Sequence, residues 1–287
     1  MDAVFCGSGY RAGFVTSLLK AIFLFCLTTA SLAQADVPWA NTLTPNTPGS
    51  FPLVKPFTGE FRFGWSDIEA ASAKATFSRE GDRMVVKVSG GTTGFARTLW
   101  QLDATHQASF LVAGLQPVAF DQTEKYSKRT TVIKVEFRPD GVWRWRETTP
   151  GPSTARWKKV KVSPIRDMIT SMLFIRSQPL RDHDKIRLIV YPGDSPFLTE
   201  VTVISHEKLK IAGKTLPAIK LDFHPQLIVR DDNHKYHLEP HRKFTRGTVW
   251  ISDDEYRIPL RCEVSIFIGY VFGELKSATF ADGKSLP

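Results

Sequence analysis

Four histidines, His224, His234, His237 and His241, gather in one short stretch with Asp231 and Asp232 among them. The spacing from His234 to His237 to His241 would set three imidazoles on one side of a helix, which is one way to build a metal site. Pro240 works against it, because the residue ahead of a proline avoids helical angles. The stretch therefore reads as a charged surface loop, and no metal is expected. There is no HExxH, no paired CxxC and no calcium-loop pattern elsewhere. Gly193-Asp194-Ser195-Pro196-Phe197 has the outline of a nucleophile elbow but lacks the second glycine, so it reads as a turn. Gly90-Gly91-Thr92-Thr93-Gly94 lacks the lysine and the following helix of a phosphate-cradling loop. Paired carboxylates for glycoside hydrolysis are defined by distance in space, so chain spacing neither finds nor removes them. Trp143, Trp145 and Trp157 have the chemistry to stack on sugars. Core positions are expected for them, because their faces are costly to leave in water. No catalytic residue and no cofactor is expected.

The elements that position these groups are short alternating segments. Phe61, Phe63 and Trp65 share one strand face, Ile133, Val135 and Phe137 another, and Ile186, Leu188 and Val190 a third. Glu80-Gly81-Asp82, Pro139-Asp140-Gly141, Pro192-Gly193-Asp194 and Ala212-Gly213-Lys214 punctuate them as hairpin turns. The spacing implies a mainly β protein: a large curved antiparallel sheet or open half-barrel with one inserted α-helix. One β domain over 57–280 is expected, preceded by a Pro-rich segment, 36–56, and followed by a C-terminal tail, 281–287.

The inserted helix is signalled by Ser163 and Pro164 as cap and first turn, followed by Ile165, Met168, Ile169, Met172 and Leu173 at helical spacing. A helix this short must bury its apolar stripe, so these five residues are expected to pack on the concave face of the sheet and bound any ligand cavity. Arg176, Asp253 and Asp254 are the polar candidates. Asp253 and Asp254 read first as turn residues after the strand ending near Trp250, with a cation or an arginine partner (Arg176 or Arg257) as the functional alternative.

The N-terminus determines the expected compartment. Arg11 and Lys20 precede an uncharged apolar run from Ala21 to Leu32, and Ala33-Gln34-Ala35 offers small residues for cleavage before Asp36. This is a signal peptide over 1–35; the apolar run is too short to remain as a membrane-spanning helix. Cleavage leaves 287 − 35 = 252 residues, with Cys262 as their one cysteine and no transmembrane segment. Cys262 is expected as a buried small residue. The net charge of +9 becomes +8 once Arg11, Lys20 and Asp2 leave. Dispersed lysines and arginines of this kind keep a β protein soluble and block edge pairing, with peripheral attraction to anionic surfaces as the functional alternative, while nucleic acid is an unsuitable partner for an exported chain.

Pro164-Ile165-Arg166-Asp167, Ser171 and Leu173-Phe174-Ile175-Arg176 resemble the central helix segment of a bacterial family of exported proteins described only as a domain of unknown function. Trp250-Ile251-Ser252-Asp253-Asp254, then Ile258-Pro259-Leu260, Ile268-Gly269 and Leu275, resemble that family's C-terminal hairpin. The likeness spans roughly Phe57 to Phe280. It departs after Gly64-Trp65, where Ala70 and Ala71 stand in place of a glycine. The resemblance implies an envelope protein with a long curved antiparallel sheet and an inserted helix, and it brings no catalytic residues.

The function expected is that of a non-catalytic exported envelope protein, periplasmic or extracellular, binding an apolar or amphipathic envelope molecule such as a lipid. An enzyme or binding module acting on envelope glycan is the alternative. An outer-membrane β-barrel fits less well, because the chain ends in Ala281–Pro287 rather than an aromatic strand and its candidate strands carry charges on the faces that would meet lipid.

Overall fold

Alternating apolar residues with glycine-bearing turns dictate strands, and among the described residues sixteen of them form one antiparallel sheet in the computed structural model. The structure describes residues 37, 39–151, 157–233, 235–241, 246–265 and 269–286. The signal peptide read over 1–35 lies outside these residues.

A first meander runs through β1 (Phe57–Trp65), β2 (Ile68–Glu80), β3 (Arg83–Thr92), β4 (Leu102–Leu111), β5 (Gln116–Tyr126), β6 (Thr130–Arg138), β7 (Gly141–Thr149) and β8 (Trp157–Val160). A second runs through β9 (Lys185–Val190), β10 (Phe197–Ile211), β11 (Lys214–Arg230), β13 (Gly247–Ser252), β14 (Pro259–Ser265) and β15 (Tyr270–Phe280). β12 (Tyr236–Pro240) pairs antiparallel with the C-terminal end of β11, and β16 (Ser285–Leu286) returns the segment read as a tail to β15. The meanders join where β1 lies antiparallel to β15, with Phe57 opposite Phe280 and Trp65 opposite Val271. The expected turns fall at hairpins, and Gly81 (φ +65°) and Gly213 (φ +78°) supply the left-handed backbone that two of them need.

Register shifts at Glu60/Phe61, Phe63/Gly64, Ser109/Phe110 and Val203/Ser205 mark bulges, which bend strands and raise their twist. The sheet curls until its ends approach without forming a ladder between β8 and β9 among the described residues. Side chains span the gap instead: Arg144 and Arg146 of β7 both reach Asp194 in the β9–β10 turn. A parallel bridge joins Arg166 to Val190, with the Arg166 amide donating to Ile189 O at 3.0 Å. One core results, in which Phe57, Phe77, Met84 and Phe110 of the first meander meet Val203, Ile219, Leu260 and Leu275 of the second.

The six-residue helix α1 (Gly94–Leu99) follows directly after Gly90–Thr93, where the sequence reading expected none. The principal helix, α2 (Met168–Ser177), starts later than Ser163-Pro164 suggests. Ile165 and Arg166 stay outside it because Arg166 is engaged by its bridge, and Asp167 is the cap. Its Oδ1 accepts from the amides of Ile169 at 2.7 Å and Thr170 at 3.0 Å. Burial pushes the Asp167 carboxyl up, and these hydrogen bonds oppose the shift. None of the helices is long and apolar enough to cross a membrane among the described residues.

The tryptophans correct a second expectation. Val142 takes the core side of β7, so Trp143 and Trp145 stand half-buried on the opposite face, while Trp157 is exposed. Cations cover their rings: Arg138 at 5.1 Å from Trp143 and Lys134 at 5.6 Å from Trp145.

Candidate functional site

The polypeptide around α2 is pinned at both ends by buried arginines. Arg166 donates to the Leu115 carbonyl and to Asn46 Oδ1 at 2.8 Å, and its guanidinium lies 4.5 Å from the Phe174 ring. Arg176 donates to Pro52 O at 2.6 Å and Tyr256 O at 2.9 Å. Burial pulls both guanidinium groups down to about 10, and at Arg176 the neighbouring Arg257 adds to the effect. Arg257 itself donates to Arg176 O and Gln178 O at 2.8 and 2.7 Å, while its guanidinium stacks 3.7 Å from Phe51. The Pro-rich segment thus straps the helix through Asn46, Phe51 and Pro52. Gly49 fits only as glycine, because a Cβ there would lie 2.1 Å from Ser177 O.

Held this way, α2 has an apolar cavity on each side. The first, about 220 Å³, is bounded by Ile169 and Met172 of the helix, Phe61 of β1, Ala73 and Ala75 of β2, Val88 of β3, Cys262 of β14 and Gly273 of β15. The small inward residues of β2 make its room, since alanine where a neighbouring position carries phenylalanine leaves volume unfilled. A Cβ on Gly273 would meet the Phe63 ring at 2.8 Å and Cys262 Sγ at 3.0 Å. The second cavity, about 290 Å³, is bounded by Met168, Met172 and Ile175 of the helix and by Val201, Leu221, Phe223, Val249 and Ile251 of the second meander. Met172 borders both. Neither lining contains a carboxylate; its charged residues are Arg261 in the first and Arg176 in the second.

The five stripe residues divide. Leu173 is fully buried, and Ile165 is half-buried against the core. Ile169 and Met172 are half-buried cavity walls, and Met168 is 47% exposed. The face sealed in the core is instead Thr170, Leu173, Phe174 and Ser177. Its two hydroxyls satisfy themselves locally, Ser177 Oγ on Phe174 O at 2.6 Å and Thr170 Oγ1 on Asp167 Oδ2 at 2.8 Å.

The polar candidates do not converge. Asp254 Oδ1 accepts from Ser252 Oγ at 2.7 Å and from the amides of Tyr256 and Arg257 at 2.9 and 3.1 Å, as a turn residue does. Asp253 Oδ2 lies 2.8 Å from His206 Nδ1, and this hydrogen bond holds the imidazole pKa above its ordinary value. Arg176 is hydrogen-bonded to main-chain carbonyls rather than to either aspartate.

The histidine stretch is part turn and part strand: Asp231 and Asp232 lie in the turn after β11, as a surface loop implies, while Tyr236–Pro240 forms the short strand β12. His237 sits on β12 with Nε2 2.9 Å from Glu239, His224 on β11 pairs with Asp222 at 3.1 Å, and His241 meets the Phe197 ring edge-on. His234 lies outside the described residues, and no metal-holding cluster occurs among those described. Cys262 is half-buried in the first cavity wall, and burial pushes its thiol up. The cavity strands carried one legible signal, Ala71, Ala73 and Ala75 at every second position of β2.

Residues 60–276 match the family described as protein of unknown function (DUF3108). No curated protein matches the chain in sequence. The fold is similar to a β-barrel-like protein of the domain of unknown function DUF1849 from Brucella abortus, with TM-score 0.50 and 9% identity over 80% of this chain and 100% of that one. A protein with a YmcC-like fold from Bacteroides fragilis aligns over 80% of this chain and 98% of its own, at 9% identity and TM-score 0.35.

Proposed function

The chain belongs to this family of unknown function, and from that premise we propose that it is an exported, non-catalytic envelope protein that binds one apolar or amphipathic envelope molecule beside α2. The observation that carries the reading is the pair of apolar cavities flanking a helix whose Met168, Ile169, Met172 and Ile175 are left partly uncovered. An apolar helix face inside a concave sheet gains by taking up an apolar partner, at roughly 25 cal/mol per Å² removed from water. Export is supported by the signal peptide read over 1–35. A lipid acyl chain suits walls without carboxylates better than a glycan does, because a sugar needs several placed polar partners.

The test is binding of a fluorescent fatty-acid probe to the mature chain, together with mass spectrometry of molecules that co-purify from native envelope. Saturable binding is expected, with protection of the Cys262 thiol from alkylation. Ala73→Trp and Leu221→Trp should block one cavity each while the folded circular dichroism spectrum persists. A mature chain that carries no apolar molecule and binds no probe would refute the reading.

A further inference from the structure

Six of the ten exposed large apolar side chains among the described residues gather at one edge of the sheet. Trp65 ends β1 and Ile68 begins β2, while Val271 lies opposite Trp65 on β15. Ala71 pairs with Thr92, so β3 ends at the same edge of the sheet and α1 follows there with Phe95 and Leu99, then Trp100. The neighbours are tied together. Ser66 donates to Tyr270 O at 2.9 Å, Thr93 to Ala70 O at 2.9 Å, and the Trp100 ring stands 6.3 Å from Tyr126 at the end of β5. Phe95 and Leu99, four apart on one face of α1, are 77% and 73% exposed. At the opposite edge, the β2–β3, β6–β7 and β10–β11 turns show no exposed large apolar side chain among the described residues.

Cations flank this rim. Lys125, Lys128 and Arg129 are exposed where β5 turns into β6, with Arg129 4.7 Å from the Tyr126 ring. Of the nearby carboxylates, Asp103 is bound by Arg97 through two hydrogen bonds and Asp67 accepts from the Tyr270 hydroxyl at 2.6 Å, while Glu69 is exposed. Tryptophan and aliphatic side chains on projecting turns, bordered by lysine and arginine, match the layered chemistry of a bilayer surface: apolar just below the headgroups and anionic at them. A protein partner would call for a groove or a flat complementary patch, and these side chains stand on separate turns along an edge.

We propose that this rim seats the protein on an anionic lipid bilayer, with Phe95, Leu99 and Trp100 entering the interface and Lys125, Lys128 and Arg129 meeting lipid phosphates. Phe63, two residues along β1 from Trp65, lines the first cavity, so the seated rim adjoins that cavity. The docking does not depend on the cavity being filled.

Flotation of the mature chain with vesicles of equal parts phosphatidylglycerol and phosphatidylcholine, against pure phosphatidylcholine, tests it. The chain is expected to float with the anionic vesicles. Phe95→Asp combined with Leu99→Asp should weaken binding about tenfold or more, the scale of withdrawing two apolar side chains from the interface. Lys128→Glu with Arg129→Glu should abolish the preference for phosphatidylglycerol. Both double variants should keep the native melting temperature, and the cavity-blocked Ala73→Trp should float as the native chain does. Failure of the native chain to float, or flotation of Phe95→Asp/Leu99→Asp at native strength, would overturn the proposal. So would a dimer in vesicle-free solution that this double variant splits, which would assign the rim to a second copy.

Discussion

The two sides of α2 have opposite characters, and neither is what composition alone suggests. The side sealed in the core carries Thr170 and Ser177 beside Leu173 and Phe174, bracketed by the buried Arg166 and Arg176. The side with the longer apolar stripe, Met168, Ile169, Met172 and Ile175, faces two cavities and is left partly uncovered. Polar side chains can be buried when most of their atoms find partners: Arg166 reaches the Leu115 carbonyl and Asn46, and Arg176 reaches the Pro52 and Tyr256 carbonyls, although Arg176 Nε and Ser171 Oγ are buried without one. Apolar atoms left uncovered mark a surface whose partner is elsewhere. In this helix, burial therefore tracks contacts with the strap and with main-chain carbonyls as much as hydrophobicity.

The largest effects should come from the sealed side. Phe174→Ala removes a ring packed against Arg166 and is expected to cost about 3–5 kcal/mol in urea unfolding. Arg166→Met should cost about 3 kcal/mol, because the Leu115 carbonyl and Asn46 lose a buried donor. A loss below about 1 kcal/mol in either variant would erase the contrast between the two sides. At the junction of the sides, Asp167→Ala removes a cap serving two amides and should cost about 1–2 kcal/mol. On the open side, Ile169→Asp sharpens the comparison. Full burial on the sheet would make it cost several kcal/mol, whereas its half-buried cavity position implies about 1–2 kcal/mol together with loss of probe binding. Met168→Ala should change stability by less than about 0.5–1 kcal/mol.

The smallest effect concerns pH. The hydrogen bond to Asp253 raises the native pKa of His206, so the protonated ring adds stability that is fully present below the ordinary value of 6.5. That contribution is lost as pH rises through the higher native value. Exposure of the pair to solvent keeps it minor. Melting temperature should therefore decline slightly across this window in the native chain, and His206→Gln should flatten the decline.

Alternation in β1, β6 and β9 and glycines in the turns were enough to read a curved antiparallel sheet with an inserted helix, since period-two patterns and left-handed turn positions are local properties of the chain. The helix existed where its stripe predicted, but its start did not. Ser163-Pro164 has the form of a cap, yet Arg166 is drawn into a bridge with Val190 more than twenty residues away, leaving Asp167 to cap. The phase of β7 was equally hidden: Trp143/Trp145 and Val142/Arg144 are both acceptable alternations, and only the neighbouring core decided that Val142 points inward.

The sequence by itself determined the class of fold, the hairpin turns and the existence of the inserted helix, because those follow from interactions between near neighbours. Tertiary structure alone decided which face of α2 is sealed, that Ala73 and Gly273 leave room beside it, and that Asp253 and Arg176 bind different partners. The physical reason is that burial, cavity volume and electrostatic pairing depend on residues brought together from distant strands, and the curl of a sixteen-stranded sheet is set by bulges and strap contacts rather than by any one segment.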